Sequence, residues 1–395
     1  MSTRGFVRIL TRIYTPEAGA APVRLRGVSR ALTGQGVDVE VVTTTPPPGL
    51  SAAEDGPERV RRAPVLRDED GYVRGYVQYM SFDIPAFFRQ LVGPRPAVTL
   101  VEPPPTTAAV ARVACGLMGV PYVAFAPDLW SRAVEAFAPA PVVTAMRLLE
   151  SFGFRGASAV IAINDEIAAQ AADMGARRVV TIPNGIDTDL FAPDGPGPSD
   201  EARATSGVGQ NPYVVYTGTA SEWQGAAVFV EALNQVRDEV DHHLVYVGKG
   251  SDWPVIQQAA EDRGLTGRVH MVDTVPPEEA AAWLRGADAA AVSLREGVGY
   301  DFAYPTKILS ALACGTKVLF AGPGPAREDI AGANLGWACD YDAARVAELW
   351  RGLAPASAEE RARVRTWVEE NRSLTASSAR VADVLRQAAR ENLRA

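Results

Sequence analysis

The chain has 395 residues, 39 basic against 47 acidic side chains, a formal net charge of −8 and 47% hydrophobic residues. That length suits two domains of the usual ~100–200 residues. The apolar content excludes a disordered chain, and the acidic balance argues against nucleic-acid binding, which favours basic domains.

Short β-branched runs at 6–10, 37–43, 98–101, 122–126, 159–163 and 179–182 predict strands, with helices between several of them at 22–32, 108–118 and 167–174. Near-continuous apolar strands separated by helices imply a parallel sheet buried on both faces. The stretch DGPGPSDEARATSGVGQNP at 194–212 breaks this pattern with Gly, Pro and Ser and predicts a linker. The alternation then restarts, with strands at 213–217, 243–247, 269–272, 289–293 and 317–321 and helices at 226–236, 253–263, 278–285 and 306–313. The tail, 357–395, predicts two helical segments. The expected organisation is α/β: a first Rossmann-like domain over 1–190, a linker over 191–212, a second domain over 213–372 and a terminal helix over 373–395 packing back on the first. Ligands of doubly wound sheets bind outside the carboxyl ends of the strands. Two such domains facing across a cleft would place a site between them.

Three cysteines (Cys115, Cys314, Cys339) and three histidines (His242, His243, His270) supply neither a disulfide framework nor the close Cys/His pairs of structural zinc. Residues 1–14 hold no apolar stretch of signal-peptide length. The longest uncharged apolar stretch, near 113–127, is interrupted by Gly116, Gly119 and Pro121 and is shorter than the ~20 residues of a membrane span. These features predict a soluble, cytoplasmic protein without a resident metal. Only Lys249, Lys307 and Lys317 are lysines, against 36 arginines. That usage is what a GC-rich genome produces, and it makes each lysine worth inspecting.

Ile182-Pro183-Asn184-Gly185-Ile186-Asp187-Thr188-Asp189-Leu190-Phe191 follows the last strand of the first half. In the second half Tyr304-Pro305-Thr306-Lys307 opens a helix that ends at Cys314-Gly315 and leads into Lys317-Val318. Together they resemble family 4 glycosyltransferases: the first is similar to the inter-domain signature P-N-G-x-D-x-x-x-F, the second to the donor-binding helix. The loop from Tyr14 to Ala21 and the tract Leu32-Thr33-Gly34-Gln35-Gly36-Val37 agree with it. Asp128-Leu129-Trp130, Trp223-Gln224-Gly225, Val247-Gly248-Lys249-Gly250 and Val275-Pro276-Pro277-Glu278-Glu279 look like the branch that includes O-antigen fucosamine-type transferases. The resemblance implies a GT-B fold and a retaining transfer of sugar from a nucleoside diphosphate-sugar to an acceptor hydroxyl, in cell-envelope polysaccharide or glycoconjugate synthesis. The donor is a substrate, and no cofactor is expected. The acceptor is a sugar, a lipid-linked saccharide or a small molecule. A monomer or a dimer fits, as does peripheral contact with the inner face of the membrane.

The chemistry agrees. Cleaving a glycosyl diphosphate leaves a group that gains negative charge, so the site needs fixed positive potential there. Helix N-termini and slim glycine loops provide it. Gly19, Gly218 and the start Pro305-Thr306-Lys307 are the candidates. Lys307 lies in the first helical turn, where a cation opposes the helix dipole, so an anionic ligand explains it better than a solvated surface does. Lys249, between two glycines, is a second candidate beside a surface-turn reading. Thr219, Gln224 and Val275 complete the donor set, the base lying near Val275. Asp128 reads either as the N-cap of the next helix or as a polar contact to the reacting sugar or acceptor hydroxyl; the acceptor is expected near Gly19, residues 102–107 and Asp128.

There are departures. The family's pair of glutamates is replaced by Phe302 and Ser310. Ser310 is left to meet the ribose, and Glu296 or Asp301 the donor sugar. The loss favours a rival class, a non-catalytic sugar-nucleotide-binding partner; a nucleotide-sugar epimerase is a second alternative, weakened by a first half without histidine. Asp187-Thr188-Asp189 imitates a metal-binding D-x-D within the inter-domain signature, and Gly248-Lys249-Gly250 is an incomplete dinucleotide fingerprint. Arg24, Arg26 and Arg30 read as a solvated face or as contacts to anionic lipid or acceptor. The aromatic stretch 72–88 reads as core before membrane dock.

Overall fold

The computed structural model describes residues 5–392 apart from Ala18 and residues 51–55, 69–70, 72, 74 and 136–137. Readings that fall on residues 1–4, Ala18, Tyr72 and 393–395 lie outside the described residues. The chain divides into two compact units, Met1–Gly185 with Leu374–Ala395, and Ile186–Ser373.

The first unit runs β1 (Val7–Leu10), α1 (Ala20–Gly34), β2 (Val39–Thr44), β3 (Arg59–Ala63), α2 (Tyr76–Leu91), β4 (Val98–Val101), α3 (Pro105–Met118), β5 (Tyr122–Ala126), α4 (Trp130–Ala133), α5 (Ala140–Gly156), β6 (Ala159–Ala162), α6 (Asp165–Asp173) and β7 (Val179–Thr181). Its strands form one parallel sheet in the order β3-β2-β1-β4-β5-β6-β7. Strands β1, β4, β5 and β6 are buried at every residue, as a sheet covered on both faces requires. Edge strand β3, RVRRA, escaped the sequence reading because its arginine-rich, mostly half-exposed course shows no apolar run.

The second unit runs α7 (Asp200–Ser206), β8 (Tyr213–Thr219), α8 (Val228–Val236), β9 (His243–Lys249), α9 (Trp253–Asp262), β10 (Val269–Val272), α10 (Pro277–Arg285), β11 (Ala289–Ser293), α11 (Thr306–Ala313), β12 (Val318–Ala321), α12 (Pro325–Gly332), β13 (Gly336–Cys339), α13 (Ala343–Trp350) and α14 (Ala358–Arg372). Its parallel sheet has the order β10-β9-β8-β11-β12-β13. The last helix, α15 (Leu374–Asn392), belongs to the first unit, where Val381, Ala382, Leu385 and Ala388 join the core under β1 and β4.

The boundaries differ from the sequence reading. Residues 191–212 are not a free linker. Ser199 accepts from Ala202 N (3.1 Å) to cap α7, Phe191 packs on the core of the second unit and Val208 is fully buried in it. The Gly-rich composition serves turns such as Gly207, left-handed at φ 85°. The boundary falls at Gly185, not 190, because Ile186 N donates to the Arg372 carbonyl (2.9 Å) inside the second unit.

Strand order reverses between β1 and β4 in the first sheet and between β8 and β11 in the second. These are the switch points at whose carboxyl ends doubly wound sheets bind ligands.

Candidate functional site

In the second unit the loop after β8 and the start of α11 meet beside the switch point. Gly218 takes φ +87°, and a Cβ there would meet nothing within 4 Å, so the backbone faces open space. Its neighbours are glycines for the opposite reason. A Cβ on Gly248 would lie 2.3 Å from the Gly218 carbonyl, and one on Gly250 1.9 Å from the Ala220 carbonyl. The strand ends β8 and β9 are thus pressed together to present one bare backbone edge.

Lys307, the second residue of α11, reaches that edge. Its Nζ donates to Tyr216 Oη (2.7 Å) and to the Thr219 carbonyl (2.7 Å), and sits 4.0 Å from the Tyr216 ring centre. Tyr216, fully buried, donates in turn to Gln224 Oε1 (3.2 Å), which also accepts from Ser221 N (2.9 Å). Among the described residues no carboxylate pairs with Lys307. Burial without a counter-charge pushes its pKa down to about 7. Lys317 shows the contrast, paired with Glu360 at 2.9 Å. A lysine ammonium has three donors, and two of Lys307's are spent on neutral oxygens. The arrangement is short of one anion.

The other expected donor residues fall into two groups. Pro305 and Thr306 form the helix start, Ser310 lies one turn after Lys307, and Lys249 pairs with Thr219 in the sheet register with its side chain exposed. The Ser310 hydroxyl donates back to the Lys307 carbonyl (3.0 Å), a local helix bond. Val275 packs on the core in the loop before α10, and Glu296 is exposed in the loop after β11. Asp301 accepts from Gly297 N (2.9 Å) and so closes that loop. Asp187 accepts from the amides of Asp189 (3.0 Å) and Leu190 (3.1 Å), which makes the D-x-D a turn cap.

In the first unit Gly19 precedes α1 at φ 141°, with no side chain capping the helix amides. Glu102 and Asp128 follow β4 and β5. Glu102 pairs with Arg24, which also donates to Asn184 Oδ1 (3.0 Å) and lies 4.4 Å over the Phe125 ring. Arg24 is therefore neither solvated nor free for lipid, a correction to the helix-face reading; of the three, Arg26 is half-buried and Arg30 exposed. Asp128 is not the N-cap either. The amides of α4 are taken by Glu150, whose Oε1 accepts from Trp130 N (2.6 Å) while Oε2 accepts from Ser131 N (3.3 Å). Asp128 Oδ1 is buried without a partner, in a pocket walled by Pro103, Pro104, Ala108 and Phe154. Burial raises its pKa against the pull of Arg24 and Arg12, and raises that of Glu102 likewise.

Sequence reasoning missed Tyr216, Arg24's pairing and Glu150. Tyr216 reads as an ordinary strand aromatic, while Arg24–Glu102 and Glu150–Trp130 are contacts 78 and 20 residues apart that no local pattern marks.

Residues 19–185 match the family described as Glycosyl transferase 4-like domain, and residues 211–353 that described as Glycosyl transferases group 1. The chain belongs to these family 4 glycosyltransferases of GT-B fold. It is 33% identical over 162 residues to the GDP-mannose-dependent alpha-(1-6)-phosphatidylinositol monomannoside mannosyltransferase of Mycolicibacterium smegmatis, covering 40% of this chain and 42% of that protein. It is 32% identical over 161 residues to the D-inositol 3-phosphate glycosyltransferase of Xylanimonas cellulosilytica, covering 38% and 36%. The chain spans less than half the length of these two relatives. Among solved structures, sucrose-phosphate synthase from Thermosynechococcus elongatus superposes with TM-score 0.78 at 18% identity over 97% of this chain and 99% of that one. Anabaena HepE in complex with UDP and glucose gives TM-score 0.72 at 17% identity over 96% and 99%. At these identities the likeness is one of fold.

Proposed function

We propose that the protein transfers a sugar, with retention of configuration, from a nucleoside diphosphate-sugar to an acceptor hydroxyl. The observation that carries this is Lys307, a half-buried cation with no carboxylate partner, set beside the bare backbone of Gly218 at the switch point of the second sheet. The donor diphosphate supplies the missing anion. Thr306 and the first amides of α11 face it, Thr219 and Gln224 hold the edge through Tyr216, and Lys249 borders it. In the first unit Asp128 offers an unpaired carboxylate oxygen to the acceptor hydroxyl. A retaining mechanism in which the leaving phosphate accepts the acceptor proton asks no strong base of Asp128, only orientation. The relatives' names support this class, and HepE, solved with UDP, supports a nucleotide at this fold. Cell-envelope glycan synthesis at a cytoplasmic site is the setting we infer.

A non-catalytic, nucleotide-binding role is the second reading, favoured by Phe302 and the internally bonded Ser310, which stand where the family resemblance implies glutamates. Isothermal titration with UDP, GDP and dTDP, followed by a donor-hydrolysis assay, separates the two. Binding with turnover supports transfer, binding without turnover supports the second reading, and no binding refutes both.

A further inference from the structure

Of the tract Trp223-Gln224-Gly225 the donor edge uses Gln224, and Trp223 is left over. Its side chain is 39% exposed, and no other tryptophan among the described residues is exposed. Its ring nevertheless stacks on that of Tyr300, the centres 5.3 Å apart and the planes 27° from parallel. Trp223 lies in the loop after β8 and Tyr300 in the loop after β11, and these two strands are neighbours at the switch point of the second sheet. A backbone bond ties the same loops, Arg295 N donating to the Trp223 carbonyl at 2.9 Å. Tyr341 Oη donates to the Gly225 carbonyl (2.7 Å), and Gly225 is packed so closely that a Cβ there would lie 2.6 Å from Arg295 Cγ. The backbone that carries the indole is thus fixed. With one ring face covered by Tyr300, the exposure falls on the rest of the indole.

Position says what meets it. Trp223 adjoins Gln224, whose Oε1 accepts from Tyr216 Oη, and Tyr216 in turn accepts from Lys307 Nζ. Tyr300 stands in the loop that leads into α11 at Thr306. Both rings therefore border the place where the donor diphosphate meets Lys307. Val275, near which the base is expected, follows β10, and the sheet order β10-β9-β8-β11 puts that strand on one side of β8 and β11 on the other. A nucleoside diphosphate-sugar with its base toward β10 and its phosphates at Gly218 has its sugar toward β11. A pyranose there presents a ring face of C–H bonds, and the electron-rich face of an indole is the side chain that suits it best.

We propose that Trp223, backed by Tyr300, is the platform on which the pyranose ring of the donor stacks. Trp223 touches the sugar, while Tyr300 is a positioning residue that holds the indole in place. The inference rests on the donor reading of Lys307 and Gly218 and adds to it a contact that the charge argument for that site does not require. Lys307 answers the diphosphate, and the stacked pair answers the sugar.

The test is isothermal titration of the full chain with UDP and UDP-glucose, and with GDP and GDP-mannose. Trp223→Ala should weaken the nucleotide-sugar that the wild type binds by about tenfold, the loss of one aromatic stacking contact, and the matching nucleoside diphosphate by less than about twofold. Trp223→Phe, which keeps a smaller ring, should recover most of the difference, and Tyr300→Ala should lose about threefold on the nucleotide-sugar alone. Tryptophan fluorescence gives a second readout: the nucleotide-sugar should change the wild-type emission beyond what the nucleotide does, and Trp223→Phe should lose that extra change. A thermal melt verifies the fold of each variant. Equal losses for nucleotide and nucleotide-sugar in Trp223→Ala would make the pair a strap that merely holds Gln224, and unchanged affinity for both would leave it a surface contact; either result overturns the proposal. Wild-type binding of no nucleotide at all refutes the donor reading itself, and the platform with it.

Discussion

Lys307 gives the donor site a pH signature. Its ammonium is held by two neutral oxygens and a ring face, and burial lowers its pKa to about 7. In the unliganded protein half the molecules carry the charge at pH 7, and roughly one in a hundred at pH 9. The charged form is the one that holds a diphosphate. The affinity for UDP should therefore drop about 50-fold between pH 7 and pH 9, about 2.3 kcal/mol, by isothermal titration. Lys307→Arg, which stays charged, should flatten this dependence, and Lys307→Met should bind weakly at every pH. Folding without ligand supplies a second readout. The unfolded lysine titrates near ~10.4, above the folded value, so the unfolded chain binds more protons between about 7 and ~10.4 and stability rises with pH across that window. Lys307→Met should remove this rise. A flat wild-type UDP profile, or the same slope in Lys307→Arg, would refute the assignment.

Further outcomes follow from the geometry. Arg24→Ala strands Glu102 in the interior and should cost about 3–5 kcal/mol in urea unfolding, whereas Arg24→Met with Glu102→Leu should recover most of the loss. Gly248→Ala puts a methyl 2.3 Å from the Gly218 carbonyl at φ +142° and should destabilise the second unit by about 1–3 kcal/mol; Gly218→Ala, facing open space, should cost ~1 kcal/mol in stability and show chiefly as weaker UDP binding. Asp128→Asn should lower turnover more than donor affinity, while Glu150→Ala, which uncaps α4, should lower the unfolding midpoint by the equivalent of about 1–2 kcal/mol.

The inner strands are readable because they are buried on both faces: the runs at 98–101, 122–126 and 289–293 are the strands themselves. Helix α11 was bounded correctly over 306–313, since Pro305 and Gly315 punctuate it. What was lost obeys other rules. β3 is an arginine-bearing edge, β13 (GWAC) is only partly buried, and α5 buries Glu150, Ser151 and Gly153 beside Phe154 while leaving Val142, Leu148 and Phe152 exposed, which inverts the pattern that marks a helix. Lys307 stood out by its scarcity and its unfavourable helix position. Its partner Tyr216 did not, because a strand tyrosine announces packing rather than a hydroxyl under a cation. Asp128's neighbourhood was illegible for a related reason: Glu150 takes the capping role from twenty residues away, and only the folded chain shows that Asp128 is left without it.

The most direct measurement is proton NMR of the anomeric signals while the full chain is incubated with UDP-glucose and with GDP-mannose. Sugar transfer predicts release of nucleoside diphosphate from at least one donor, slow with water and faster with an acceptor, the first-formed product keeping the donor's anomeric configuration, and loss of this release in Lys307→Met. Inverted product would contradict retention. Tight binding of the nucleotide with both donors intact would contradict transfer itself and leave a sugar-nucleotide-binding protein.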